Sequence, residues 1–337
     1  MRRRLPVFVL VFMAPLVAEL LAGSTPLGQP LVLAFLLPIY LPLYGAGALL
    51  IRELVRRGGR GWASILLLGA AYGLIEEGFA SQSLFNPKLY HAADWGARIL
   101  GINGAFTESV LIVHAVWSAA IPILLTELMF PSQRATPYLG RVGLVVTSIC
   151  YVLGVALLWL IARVSFAAGY EAPPLLPGLA LLVALVLAVV ALAVLPRKLP
   201  RPKLRINAPH PWTVFLVISI SGLIWQASWF LWSIQPLFSA WPLVLVPTLG
   251  TLLIAGGVSW LVDRWSQAQD WNHLHLLALA SGAVICHILI GLLAFAQTTA
   301  DRIGLAVLGL VMAGLLTWLA IGIHHRVSPV DLPAKVV

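Results

Sequence analysis

The chain has 337 residues, of which 61% are hydrophobic and 10% charged. Soluble domains carry about a quarter charged residues, so this composition excludes an ordinary water-soluble enzyme. The net charge of +9 does not signal nucleic acid, because the basic residues punctuate apolar runs instead of gathering on one polar domain. Barrel strands alternate apolar and polar residues over about ten positions, whereas residues 175–195 are apolar on every face. The fold class expected is therefore all-α, a polytopic helical transmembrane bundle with no soluble domain.

From the N-terminus, Arg2-Arg3-Arg4 followed by an apolar run mimics a secretory signal. No small-x-small cleavage site precedes Gly23 and Glu19 interrupts the run, so it reads as a first spanning helix. Apolar runs and their breakers place about ten spans near residues 5–22, 31–51, 62–84, 105–130, 141–163, 175–195, 212–234, 241–262, 274–297 and 304–323. If Arg2 to Arg4 are cytoplasmic, 17 of the 21 Lys and Arg residues fall on that side, among them Arg52, Arg56, Arg57, Arg60 and Arg134. Only Lys88, Arg98, Arg163 and Arg302 fall opposite. This asymmetry predicts an inner (plasma) membrane protein with both termini in the cytoplasm. The long outer loop at 85–104, with Asn86-Pro87, Tyr90 and Trp95, reads equally as a connector or a lid. Cys150 and Cys286 sit inside apolar runs and read as packing residues. The chain forms one integral-membrane domain, 1–337. Gly73-Leu-Ile-Glu-Glu and Gly222-Leu-Ile-Trp-Gln echo each other four spans apart, as a duplication of about 5–130 and 141–262 followed by two further helices would produce.

A charge at mid-membrane costs on the order of 3 kcal/mol, so ionisable residues there are candidates for function. Glu76 and Glu77 lie in the third expected helix, His114 in the fourth and His287 in the ninth, with Gln226 in the seventh and Glu19 nearer the end of the first. Counted from the outer ends, all but Glu19 lie roughly 12–15 Å deep at 1.5 Å per residue, which predicts one shared polar cavity. Helical neighbours of Glu76 include Gly69, Tyr72, Gly73, Ala80 and Ser83, a stripe that permits close packing. Consecutive helical residues diverge by about 100°, so Glu76 and Glu77 are expected not to aim at one partner. Glu108 and Glu127, near helix ends, read as interfacial.

A Glu-Glu pair, a His on the next helix and a later His together resemble the glutamic-type intramembrane proteases of the CAAX-protease and bacteriocin-processing (CPBP) family. That family carries Glu-Glu-x-x-x-Arg, Phe-x-x-x-His and His-x-x-x-Asn/Asp. Here Glu76-Glu77, His114 and His287 match, while Ser81, Val110 and Gly291 replace the Arg, the Phe and the Asn/Asp. The resemblance implies that Glu76 activates a water, His114 assists, His287 stabilises the oxyanion and Glu77 orients or tunes its neighbour. No cofactor is then needed, although Glu76, His114 and His287 also compose a His2Glu zinc set. The expected partners are membrane lipids and a membrane-associated peptide. A proton-coupled transporter of a small molecule, with helices interrupted at Pro38, Pro42, Pro122 and Pro247, fits the same residues. So does a non-enzymatic membrane scaffold.

Overall fold

Apolar segments that leave water can satisfy their own backbone groups only as helices or closed barrels, and this chain takes the helical solution almost throughout. The computed structural model describes residues 4–90, 98–197, 204–229 and 241–327. Among them, in chain order, run α1 (Leu5–Leu20), α2 (Pro30–Arg57), α3 (Trp62–Ala80), α4 (Gly104–Met129), α5 (Arg141–Val164), α6 (Leu175–Val194), α7 (Pro211–Ala227), α8 (Leu245–Ser266), α9 (His273–Phe295) and α10 (Thr299–Arg326). Eight are long and apolar enough to cross a membrane, and α1 and α7 are shorter apolar helices. The described strands are one small antiparallel pair, Arg98–Ile99 with Ile102–Asn103.

The helices follow the apolar runs, but several boundaries differ. α2 continues past residue 51 to Arg57, because its last turns pack inside the protein and do not emerge as a loop. α3 stops at Ala80, before the expected 84, since Gln82 adopts a left-handed backbone with φ of +58° that no α-helix continues. Residues 230–234 of the seventh expected span lie outside the described residues, as do Trp95, Pro236 and the basic residues at 2–3, 198–203 and 335. The described part of the 85–104 loop is tied down by Arg98, whose guanidinium donates to the Phe85 carbonyl at 2.8 Å and the Asn86 carbonyl at 3.2 Å. Asn103 then caps α4 by accepting from the Phe106 amide at 3.0 Å.

α3 and α4 are largely enclosed, whereas α5, α6, α8 and α10 turn rows of Leu, Val and Ile outward. Lipid tails are as apolar as leucine, so close approach rather than apolar burial joins such helices. At Gly282 of α9, a Cβ would stand 2.8 Å from the Phe215 carbonyl of α7, and α7 and α9 make the most extensive helix pair. Cys286 is buried on the same seam, against Gly222.

One end of the bundle is locked by charge. Arg52 is fully buried and donates to the Glu127 carboxylate and to the carbonyls of Gln133, Arg134 and Thr136, each at 3.1 Å. Its guanidinium stacks 3.3 Å from the Tyr138 ring centroid. Arg56 makes two 2.8 Å bonds to Glu127, and Glu53 accepts from the Tyr138 and Leu139 amides at 2.5 and 3.3 Å. Glu127 does sit near a helix end, as expected, and is enclosed by protein there. Arg52 likewise belongs to the interior and not to a basic loop. Removing one partner of such a buried network strands the other charge. Arg52→Ala should therefore lower stability by about 3–5 kcal/mol in thermal unfolding of the detergent-solubilised protein, whereas the more exposed Arg57→Ala should cost about 1 kcal/mol or less. Equal melting of the two variants would contradict this assignment.

Candidate functional site

The site forms where α3 and α4 meet, and glycine brings them together. A Cβ on Gly69 would lie 2.7 Å from the Ala115 Cα, and one on Gly73 would lie 2.9 Å from Cδ2 of His114. The small-residue stripe read around Glu76 is thus the contact surface that receives the imidazole.

Five ionisable residues of the cluster stand in π-helical turns. Glu19 lies in Leu16–Leu20, Tyr44 in Leu41–Gly45, Glu76 and Glu77 in Leu74–Ala80, and His114 in His114–Ala120. Such turns are rare and concentrate at functional sites. Three of the four have proline beside or within them: Pro15 before the first, Pro42 inside the second and Pro122 just after the last. Proline lacks an amide hydrogen and its ring crowds the carbonyl four residues back, so a wider turn relieves the ladder there.

The wider turn also reverses one expectation. An i→i+5 turn holds more residues per revolution than the 3.6 of an α-helix, so consecutive side chains diverge by less than 100°. Glu76 and Glu77 accordingly converge on the same imidazole from its two edges. Oε1 of Glu77 lies 3.4 Å from Nε2 of His114, and Oε2 of Glu76 lies 3.8 Å from Nδ1. Nδ1 also sits 3.0 Å from the Ser118 hydroxyl.

The two acids differ in their surroundings. Glu77 is held by donors: Ser81 at 2.9 Å and Ser83 on Oε2, and the His114 ring on Oε1. Ser81 braces the carboxylate as a neutral donor. Glu76 is held more loosely. Its Oε1 receives the Tyr44 hydroxyl, while its buried Oε2 makes no close hydrogen bond and the Tyr72 hydroxyl adjoins the carboxylate. Tyr44 and Tyr72 wall the imidazole, with ring centroids 6.3 and 5.4 Å from it. Tyr44 itself lies within hydrogen-bond reach of Glu19, at 2.5 Å. Reading the sequence for costly charges misses Tyr44, Ser81 and Ser118, which are unremarkable types in a spanning helix. The Pro42-x-Tyr44-Gly45 spacing is the signal that bears on Tyr44.

Glu76, Glu77 and His114 each offer one ligand atom, and these atoms lie within 4.8 Å of one another. The serine donors lie on Oε2 of Glu77 and leave its Oε1 turned toward His114, so the trio is at once a hydrogen-bonded acid pair and a candidate ligand set. The His2Glu combination of Glu76, His114 and His287 is not assembled. His287 packs elsewhere: its Nδ1 lies 2.8 Å from Oε1 of Gln226, and its ring stacks on Trp117 at 5.0 Å. Trp117, one turn beyond His114 on α4, in turn donates to the Ala283 carbonyl at 2.7 Å. The two histidines thus meet different faces of one helix. Glu108 is engaged with Thr251 of α8 at 3.0 Å and is not part of the cluster.

Family comparison agrees with the membrane architecture. The chain belongs to an uncharacterized membrane protein family, whose model matches residues 8–333. No curated protein and no solved structure matches it. Family membership and the apolar helices make it an integral membrane protein, and all of the cluster lies within the matched region. Its geometry depends on the α3–α4 seam. Gly73→Leu should displace His114 and abolish whatever the site does, while Gly59→Ala, at a loop glycine with nothing nearby, should leave it intact. Cysteine cross-linking between α3 and α4, lost in the first variant and kept in the second, would check this.

Proposed function

We propose that the chain is an intramembrane peptidase in which Glu76 is the water-activating base. The observation that carries this reading is the asymmetry of the two acids. Glu77 is held by two serine hydroxyls and the imidazole and serves as a fixed anion, whereas Glu76 keeps one buried oxygen without a close hydrogen bond, beside the imidazole of His114 and near the Tyr72 hydroxyl. A base must present an unoccupied oxygen to the water it deprotonates. In this reading Glu76 takes a proton from water as the water oxygen bonds to the scissile carbonyl carbon. That proton is then passed to the departing amine as the C–N bond breaks. His114, held between Glu77 and Ser118, carries positive charge opposite the developing oxyanion. His287 acts through Trp117 as a positioning residue for α4. The reaction in this form uses Glu76 and His114 without a metal, so chelators should leave turnover unchanged.

The same reading places the protein in the plasma membrane with both termini cytoplasmic, and the site beneath the outer face. Reporter fusions after Arg60 and Val337 should read cytoplasmic and one after Arg302 external. An external Val337 would overturn that orientation.

Purified protein in proteoliposomes, supplied with apolar and lipid-modified peptide libraries, tests the activity. Glu76→Gln should reduce cleavage by about 100-fold to 10,000-fold, and Glu77→Gln should lose less. A proton-coupled carrier is the second reading, favoured by the chain of contacts that runs from Glu76 through Tyr44 and Glu19 toward the surface. Proton-dependent uptake with no peptide product would decide for the carrier.

A further inference from the structure

The Tyr44 hydroxyl touches two carboxyl groups. It lies 2.5 Å from Oε1 of Glu19 and also meets Oε1 of Glu76. A phenol has one hydrogen to donate, so it can satisfy only one of these contacts. The other requires a hydrogen from the carboxyl side, since two anionic oxygens facing the same phenol oxygen would repel one lone pair with another. Proton counting therefore puts one proton on the Glu19–Glu76 pair.

The contacts continue outward. Oε2 of Glu19 accepts from the Ser24 hydroxyl at 2.6 Å, and Ser24 is exposed while Glu19 is half-buried. Gly23, at φ +71°, turns the chain after α1 so that Ser24 folds back over Glu19. The groups around this line are consistent with a neutral bridge. Tyr40 packs edge-on against Tyr44 at 5.6 Å, and its hydroxyl lies 3.1 Å from that of Thr25 and also adjoins Glu19. Tyr72 and, behind it, Tyr151 are phenols. Glu77 and His114 face Glu76 as the pair already described.

We propose that Glu19, Tyr44 and Glu76 form a proton relay that connects the buried acid of α3 with the membrane surface at Ser24. A proton held on Glu19 passes to the Tyr44 oxygen as the Tyr44 hydrogen passes to Oε1 of Glu76. One O–H bond breaks at Glu19 and one forms at Glu76, and Tyr44 is neutral before and after. Reversal takes the proton from Oε1 of Glu76 back to Glu19 and leaves the Glu76 carboxylate ionised. The inference rests on Glu76 changing protonation state, as the peptidase reading requires, but it assigns Glu19 and Tyr44 a role that cleavage assays alone do not reveal.

Infrared spectroscopy of the full chain in nanodiscs tests it without any substrate. The wild-type protein should show a protonated-carboxyl C=O band that both Glu19→Gln and Glu76→Gln remove or shift, because the two groups share one proton. After transfer to D2O that band should exchange on the order of 100-fold more slowly in Tyr44→Phe than in the wild type. Tyr151→Phe, which deletes a phenol hydroxyl behind Tyr72 and outside the line, should exchange at the wild-type rate and serves as the control for folding. A band indifferent to Glu19→Gln, or wild-type exchange in Tyr44→Phe, would overturn the relay. Peptidase activity can fail while the relay passes, and the reverse, so the two claims are separable.

Discussion

Two neighbouring carboxyl groups inside a hydrocarbon layer cannot both ionise unless something nearby answers their charge. The site is arranged around that constraint. Glu77 meets it with two serine hydroxyls and one edge of an imidazole, and Glu76 meets it with a phenol and the other edge. The glycines of α3 let α4 come near enough for a single His114 ring to reach both acids. Without that approach the imidazole would be held away, and each acid would have to be neutral or unpaired.

The second level of organisation is the backbone. An α-helical turn would send Glu76 and Glu77 in directions too far apart for one ring, and the π turn in α3 closes that angle. Similar turns in α1, α2 and α4 aim Glu19, Tyr44 and His114 at the same volume. Prolines near three of them do in the helix ladder what glycines do at the seam: they release a local constraint so that a side chain can be redirected. The opposite end of the bundle shows the contrasting use of charge. There Arg52, Arg56, Glu53 and Glu127 neutralise each other and tie α2 to α4 and the segment after it, with no acid oxygen of Glu53 or Glu127 left unpartnered.

Much of the fold is legible in the sequence because hydrocarbon imposes length and composition on whatever spans it. The apolar runs alone locate the described helices to within a few residues. The acids and His114 are conspicuous for the same reason, since a charge in lipid is costly whatever its neighbours. What the sequence hides is direction. Arg52 reads as a loop charge because positive-inside reasoning counts basic residues without knowing which way they point, and in the structure it points inward. His287 lies at a depth like that of His114, but depth says nothing of rotation about the helix, and its partners are Gln226 and Trp117. Tyr44 is invisible to a search for charges, although it joins two of them. The echo of Gly73 and Gly222 has a local physical meaning: in each case the glycine admits a neighbouring helix, and the residue four positions on contacts a histidine.

The central claim is that Glu76 performs hydrolysis on a membrane-associated chain. The most direct measurement compares peptide termini in membranes from cells carrying the wild-type protein and Glu76→Gln at matched levels. The account predicts fragments with new termini, arising at discrete bonds of membrane-associated substrates, in the wild type and their absence in the variant. Identical sets of termini, with both proteins folded and inserted, would contradict it.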